Sequence, residues 1–263
     1  MKPNRFQQAR EEGRIPVGHM IMEFGTRGIA QILKTAGLDF AVIDMEHTGF
    51  SMSEVSNLIA WFKATSVAPI VRVPQIERHF IARILDAGAL GIMVPDVKNS
   101  EQVQAVIKAA KYPPLGERGA GLGLAQSDFK RVNGLEFMDY SNRNTTIICQ
   151  IESPQGLDNL EAIASTTGLD VLWVGHFDLS LALGIMAQFH HEKFLSALRQ
   201  IVAAAKKHGL AMAGQPRNLE QAQEWVSLGF DVISFSSDVN VYLDAMSAAV
   251  EGVSKLKRAE GKA

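Results

Sequence analysis

Short apolar runs alternate with amphipathic segments along the whole chain. Eight of these runs are candidate strands: VGHMIM, FAVID, APIVRV, GIMVP, TIICQI, VLWVG, LAMAG and VISFS. This alternation is typical of βα units that build a parallel sheet. Eight such units in about 250 residues is the size of a (β/α)8 barrel, so we predict one TIM-barrel domain. It would span residues 1–263. A doubly wound open sheet is the alternative, but no GxGxxG follows the first run.

The helical segments carry their own start and stop signals. Ser51 and Glu54 have the spacing of a capping box, and apolar residues then recur at helical spacing. The stretch HFIARILDAG has an apolar face and ends at Gly88. These signals agree with the strand assignments on either side of them.

Two segments depart from the βα rhythm. The segment from Tyr112 to Asn144 is too long for an ordinary connection and begins glycine-rich, which predicts a functional loop or lid. The other is a C-terminal helix, about Asn240 to Arg258, with an apolar stripe that closes the barrel or packs on a neighbouring subunit. The stripe consists of Val241, Met246, Ala249, Val250 and Val253.

Composition narrows the class of function. The formal net charge is -2 and no basic stripe is present, which argues against nucleic acid or a membrane as the main partner. The single cysteine, Cys149, lies in an apolar run and is interpreted as a buried structural thiol in a reducing cytoplasm. No segment reaches the roughly 20 apolar residues of a membrane span. We therefore expect a cytoplasmic protein that acts on small molecules.

Polar residues collect at the carboxyl ends of the predicted strands, where the active sites of TIM barrels lie. They are Asp44, Glu46, His47, Arg72, Gln150, Glu152, Gly175, His176 and Asp178. Two of them, Glu152 and Asp178, are acids at the ends of successive buried strands. An ionised group there is costly unless a cation or donor compensates it, and oxygen ligands suit Mg2+ or Mn2+. The alternative is that these acids are helix N-caps or salt-bridge partners.

Arg72 and His47 add chemistry to this acidic pocket. A guanidinium binds a substrate carboxylate with two hydrogen bonds, and a histidine near neutral pKa suits a general base. Alternatively, Arg72 pairs with Asp44 or Glu46, and His47 is a solvated loop residue. His176 is a weaker candidate that offers its backbone N–H.

Two features that the sequence lacks also narrow the class of enzyme. No predicted strand contains a lysine, which argues against a Schiff-base aldolase. The exits of strands seven and eight read GQPRN and SSDVN and lack the glycine-rich turns of a phosphate-binding barrel.

Six separated motifs carry a family resemblance over roughly residues 15–240: IDMEH, VRVP, LDAGALGIMVPDVKNSEQ, YPPLGERGAG, QIESPQGLDNLEAI and VGHFDLS. In order and spacing they resemble the HpcH/HpaI aldolases, metal-dependent class II pyruvate aldolases with a phosphoenolpyruvate/pyruvate-type barrel. The resemblance implies cleavage of a 4-hydroxy-2-oxo acid, as in 4-hydroxy-2-oxoheptanedioate or 2-dehydro-3-deoxyglucarate aldolases, to pyruvate and an aldehyde.

The resemblance also implies roles. Glu152 and Asp178 are similar to the metal ligands, for Mg2+, Mn2+ or Co2+, with no organic cofactor. His47 would be the base, Arg72 would stabilise the enolate, and Asp86 would raise the basicity of the histidine. The substrate would contact Gln150, Gly175 and the backbone at Phe177 and Asp178, with Asp44 and Glu46 supporting the site from behind. A homo-oligomer, a hexamer or a trimer of dimers, is expected.

This chain departs from the family at two points. His176 and Phe177 follow the strand-six glycine where many pyruvate aldolases have small residues or proline, which narrows the pocket. Strand seven ends in AGQPRN, a more polar exit than an aliphatic aldehyde would want. Two other functions remain open: a citramalyl or malyl thioester lyase or phosphoenolpyruvate-type enzyme on the same barrel, and a non-catalytic barrel that binds a metabolite as a scaffold.

Overall fold

The computed structural model describes residues 2–256, and its eight parallel strands close into a barrel in chain order. The strands are β1 (Val17–Ile21), β2 (Phe40–Asp44), β3 (Ala68–Arg72), β4 (Gly91–Val94), β5 (Thr146–Ile151), β6 (Val171–Val174), β7 (Ala211–Gly214) and β8 (Val232–Ser237). Each lies within or next to one of the eight predicted runs. The predicted (β/α)8 barrel is therefore confirmed.

Helices surround the barrel and connect its strands. They are α1 (Arg5–Glu11), α2 (Ile29–Thr35), α3 (Met52–Lys63), α4 (Arg78–Asp86), α5 (Ser100–Ala110), α6 (Gly134–Asn144), α7 (Pro154–Asp158), α8 (Leu160–Ala164), α9 (His176–Ala182), α10 (Glu192–Lys207), α11 (Leu219–Leu228) and α12 (Asp238–Ser254). The predicted capping box opens α3, where Ser51 and Glu54 bond each other's backbone N–H groups. Gly88, just past α4, has a φ of 105°, which explains the glycine at that helix end.

Two apolar clusters hold the barrel together. One fills its interior and includes Phe40, Ile70, Ile148 and Trp173. The other lies between the sheet and the helices and includes Cys149, which is fully buried as predicted. Burial raises the pKa of the Cys149 thiol to about 12, so the group stays neutral. Because every strand is buried on both faces, only the strand ends are free to carry chemistry.

The amino-terminal end of the barrel is closed by α1, a helix that the sequence analysis did not identify. Phe6 is fully buried in the interior cluster and meets Phe40 edge to face at 5.2 Å. Asn4 donates from Nδ2 to the carbonyl oxygens of Leu90 and Asn144. The barrel thus opens towards solvent at the carboxyl ends of its strands.

Within one chain, the segment from Tyr112 to Asn144 does not cover the predicted active face of its own barrel. The segment contains a short 3-10 helix (Ala125–Ser127) and α6. It joins α5 to the start of β5, and Lys111 at its root donates to the carbonyl oxygens of Asn142 and Thr145. It therefore packs at the amino-terminal end, opposite the predicted active face.

The C-terminal helix α12 begins against β8 and β1, and Asp238 is its one buried residue. The predicted apolar stripe is exposed, with Val250 at 63% and Val253 at 67% relative exposure. The predicted helix end at Arg258 lies outside the described residues. Within residues 2–256, no helix is both long and apolar enough to cross a membrane.

Candidate active site

Arg72 ends β3 and is held by two carboxylates from the exit of β2. Its Nε and Nη2 donate to the two carboxylate oxygens of Asp44 at 2.7 and 2.9 Å. Its Nη1 lies 3.1 Å from Oε2 of Glu46. The parallel register of β2 and β3 places Asp44 directly beside Arg72. A guanidinium has five N–H groups, so two of them remain for a ligand.

Burial, hydrogen bonds and neighbouring charges set the pKa values of the two acids at the end of β2. Burial alone would raise the pKa of Asp44, but hydrogen bonds from Arg72 and from the backbone N–H groups of Glu46 and His47 outweigh it and hold that pKa below its ordinary value. Burial raises the pKa of Glu46, although the charges of Arg72 and His47 oppose the shift. His47 Nε2 lies 3.7 Å from Glu46 Oε2, and the side chain is 56% exposed. The imidazole therefore faces open space beside the arginine.

Glu152 follows β5 and is a buried carboxylate without a cation beside it. It is 6% exposed. Its Oε1 accepts a hydrogen bond of 2.6 Å from the backbone N–H of Asp96, and its Oε2 accepts one from Nε2 of Gln150. The pKa of Glu152 is raised to about 7, mainly by burial; the two hydrogen bonds oppose the shift, and the charges of Asp178 and Glu46 add to it. Such a group is costly to ionise unless a positive charge arrives.

Two adjoining cavities open at this end of the barrel. The larger, about 430 Å³, is lined by His47, Arg72, Gln150, Gly175 and Asp178 together with residues that follow β7 or belong to β8 and α12. The smaller, about 370 Å³, is lined by Glu46, Asp96 and Glu152, again with His47 and Asp178. His47 and Asp178 therefore stand between the two spaces.

The oxygen donors of the smaller cavity suit a divalent cation. Glu46 is paired with Arg72, and Asp96 lies 2.7 Å from Lys98 Nζ. Glu152 and Asp178 have no ion-pair partner among residues 2–256. Within residues 2–256, no group of three or more His, Cys, Asp or Glu side chains is arranged to hold a metal ion. A pair of uncompensated carboxylates that leaves positions open fits Mg2+ or Mn2+, which keep several waters or substrate oxygens.

Comparison with known proteins decides the family. The model of the HpcH/HpaI aldolase/citrate lyase family matches residues 25–245. The chain belongs to this family. Curated relatives include the 5-keto-4-deoxy-D-glucarate aldolases of Citrobacter koseri and Klebsiella pneumoniae. Each is 32% identical over 253 residues, covering 96% of this chain and 97% or 98% of the relative.

Solved structures of the same family agree. The HpcH/HpaI aldolase from Desulfitobacterium hafniense DCB-2 superposes with a TM-score of 0.92 at 30% identity, covering 97% of this chain and 98% of that one. The citrate synthase SbnG superposes with a TM-score of 0.85 at 28% identity, covering 95% and 97%. The predicted family and the prediction of an enzyme, a lyase of the aldolase type, are confirmed.

In this HpcH/HpaI family member, the barrel brings together all but one of the predicted site residues. The exception is Asp86, the last residue of α4, at the amino-terminal end of the barrel. There its carboxylate lies 2.7 Å from Nη2 of Arg118. Within one chain, Asp86 therefore does not support His47. The carboxyl end of a helix and the exit of the preceding strand lie at opposite ends of a βα unit, so the topology of one chain keeps Asp86 away from His47.

Other site residues were not predicted. Asp96 binds Glu152 through its backbone, at a left-handed φ of 48°. Asp96 could have been identified in the sequence by its position just after the end of β4. The second wall of the larger cavity contains Gln215, Arg217, Ser237 and Asn240. Its signal was the polar exit of strand seven, which the sequence analysis noted without assigning a role.

Gly175 lies where a side chain would displace Glu152. A Cβ there would overlap Glu152 Oε2 and come within 2.7 Å of Gln150 Nε2. We predict that Gly175→Ala weakens Mn2+ binding at least about tenfold and costs about 1 to 3 kcal/mol of stability, because the buried carboxylate must move. Titration calorimetry and urea unfolding measure the two effects. Gly252→Ala on α12, where nothing lies within 4 Å, is the matched control and should leave both unchanged or slightly raise stability. Equal Mn2+ affinity in the two variants would contradict the prediction.

His176 narrows the larger cavity from within an aromatic cluster. Its ring lies 4.5 Å from that of Phe177, 5.2 Å from that of Phe189 and 5.4 Å from that of Trp225. Burial lowers the pKa of His176 from 6.5 to about 4. The folded protein therefore holds this ring neutral where the unfolded chain protonates it.

This burial predicts acid sensitivity. Since the folded pKa lies below the unfolded value, stability is fully present above pH 6.5 and is lost as the pH falls towards 4. His176 should account for roughly 2 to 3 kcal/mol of that loss. Urea unfolding at pH 6.5 and pH 4 measures it. The loss should be smaller by this amount in His176→Phe and unchanged in His190→Phe, a surface control. The same loss in both variants would refute the role of His176.

Proposed function

We propose that the chain reversibly cleaves a 4-hydroxy-2-oxo acid to pyruvate and an aldehyde, with the help of a divalent cation. One observation carries the proposal: the free N–H groups of Arg72 and the carboxylate of Glu152 border two adjoining cavities, and the open imidazole of His47 and the carboxylate of Asp178 line both. The aldolase names of the curated relatives also support the proposal. The substrate named for them, 5-keto-4-deoxy-D-glucarate, is one candidate for this chain.

His47 is the proposed base. In cleavage it takes the proton of the 4-hydroxyl group, directly or through water, as the C3–C4 bond breaks and the aldehyde forms. In the reverse direction it takes a proton from the methyl group of pyruvate. Its exposed ring and its nearest carboxylate, Glu46, suit a group that exchanges protons repeatedly.

Arg72 is the proposed electrostatic partner of the enolate. Asp44 and Glu46 fix its plane, so its two remaining N–H groups are already directed when the keto oxygen gains negative charge. Donors fixed in advance stabilise developing charge without reorganisation. Gln150 and the backbone from Gly175 to Asp178 line the same cavity and would hold the 2-oxo acid.

Glu152 and Asp178 would hold Mg2+, Mn2+ or Co2+, which when bound would act as a Lewis acid for the oxygens of the 2-oxo acid. The chain itself contributes the buried position of Glu152. Gln150 and the Asp96 N–H orient this carboxylate, and Gly175 leaves room for it. The protein requires no organic cofactor for this chemistry.

Exchange of the pyruvate methyl protons tests the proposal directly. Proton NMR in deuterated water, with Mg2+ and with chelator, should show loss of the methyl signal only when the cation is present. A metabolite-binding scaffold would bind pyruvate without exchanging its protons. No exchange under either condition would therefore overturn the proposal.

The thioester alternative changes the substrate and keeps the site. A mass-spectrometric screen of pyruvate with assorted aldehydes, run beside citramalyl- and malyl-coenzyme A, separates the two. Aldol products and no thioester cleavage are expected, because the curated relatives are named as aldolases.

The proposed partners are the small-molecule 2-oxo acid and aldehyde, with no nucleic acid or membrane, and further copies of the chain. The exposed apolar side chains of α12 support the homo-oligomer. A hexamer or a trimer of dimers is the proposed form, and sedimentation of the full chain should give more than one subunit. The cytoplasmic location stays a prediction.

A further inference from the structure

The larger cavity has a second wall that the proposed cleavage mechanism does not use. Gln215 and Arg217 follow β7, Ser236 and Ser237 end β8, and Asn240 lies in the first turn of α12. In the closed ring of eight strands, β7 stands opposite β3, which carries Arg72. Arg72 and Arg217 therefore line the larger cavity from opposite sides.

The two arginines differ in how strongly their guanidinium groups are engaged by carboxylates of the chain. Arg72 is buried, hydrogen-bonded to Asp44 and ion-paired with Glu46. Arg217 has one ion pair among the described residues, to Asp244 at 3.5 Å, with the two side chains 57% and 60% exposed. An exposed pair at that distance contributes little, so most of the donors of this guanidinium are available to a ligand.

The rest of the wall suits an anion with hydroxyl groups. Asp178 is the one carboxylate that lines the larger cavity in the described part of the chain, and it lies at the exit of β6. Asn240 is half-buried, and its side-chain amide makes no hydrogen bond within residues 2–256. Gln215 donates from Nε2 to the carbonyl oxygen of Ser236 and keeps its own carbonyl free to accept. Positive charge and unused amides thus face the space where the aldehyde half would lie.

We propose that Arg217 is a specificity-determining residue that receives a carboxylate at the far end of the aldehyde half, with Asn240 next to the hydroxyl groups between. The inference rests on the proposed aldolase function and adds to it the residue that selects the aldehyde. It also accounts for the polar exit of strand seven, which would be a poor wall for an aliphatic aldehyde.

A matched pair of aldehydes tests this assignment. In 2-hydroxy-3-oxopropanoate the terminal group is a carboxylate, and in glyceraldehyde it is a neutral hydroxymethyl group at the same position. The rate constant kcat/KM for addition of each to pyruvate is measured in the wild type, Arg217→Gln, Arg217→Lys and Arg199→Gln. Arg199 is an exposed arginine on the outer helix α10 and provides the control for loss of a surface charge.

The wild type should prefer the carboxylate aldehyde, and Arg217→Gln should reduce the preference by about 10- to 100-fold, the usual effect of losing a charge-assisted hydrogen bond. Arg217→Lys should retain part of it, and Arg199→Gln all of it. The preference should weaken with added salt in the wild type and not in Arg217→Gln. A preference that is absent from the wild type, or unchanged in Arg217→Gln, would overturn the inference. Failure of pyruvate exchange in the wild type would instead overturn the underlying function.

Discussion

Replacing Glu152 with alanine is expected to abolish cation-dependent turnover. The proposed cation would lose one of its two carboxylate ligands, and Lewis-acid stabilisation of developing charge is worth several kcal/mol. The rate of pyruvate methyl exchange should fall on the order of 1,000-fold or more. Calorimetry should show a matching loss of Mn2+ binding, because Asp178 alone is exposed and singly charged. Both measurements use purified full-length protein.

The matched control is Glu161→Ala on α8, where an exposed carboxylate pairs with Lys207 and His208 away from the site. It should keep both activity and cation binding. Removing Glu152 also removes a buried acid that is costly to ionise, so the variant should fold at least as well as the wild type near neutral pH. Full activity of Glu152→Ala in the presence of chelator would show that the assignment of this residue is wrong.

Replacing Arg72 with methionine is expected to affect both stability and catalysis. Asp44 has no exposed surface, and Arg72 provides two of its hydrogen bonds. Leaving that carboxylate without its partner should cost about 3 to 5 kcal/mol. The loss of fixed donors to the enolate should reduce kcat by a further 100- to 1,000-fold, as for the loss of an oxyanion donor. Urea unfolding and pyruvate exchange measure the two effects.

A double variant separates them. Asp44→Asn combined with Arg72→Met removes both charges and keeps a side-chain oxygen that can accept from the backbone N–H of Glu46 or His47. It should recover most of the lost stability and none of the lost activity. If activity returned together with stability, Arg72 would be a structural residue of the barrel rim. Arg72→Lys keeps a charge without the fork and should lie between the wild type and Arg72→Met in activity.

The sequence was sufficient for the fold because the strand and helix signals are local. Eight apolar runs, a capping box at Ser51 and a terminating glycine at Gly88 all predict elements that the structure contains. Helix α1 was not predicted, because it is buried by covering the amino-terminal end of the barrel. No local sequence pattern indicates that position. The end of the barrel at which the segment from Tyr112 to Asn144 lies was not predicted, because glycine content indicates irregular backbone and does not say which end of the barrel it covers.

The sequence by itself determined a closed parallel barrel with acids, an arginine and a histidine at its strand exits, since strand order places those exits at one end. Only the tertiary structure showed which of these charged groups pair with one another and which face the cavity. It showed that Arg72 is shared by Asp44 and Glu46, that Gly175 leaves space for Glu152, and that Arg217 faces the cavity from the opposite wall. Such pairings depend on side chains that are distant along the chain and are brought within a few ångströms by barrel closure.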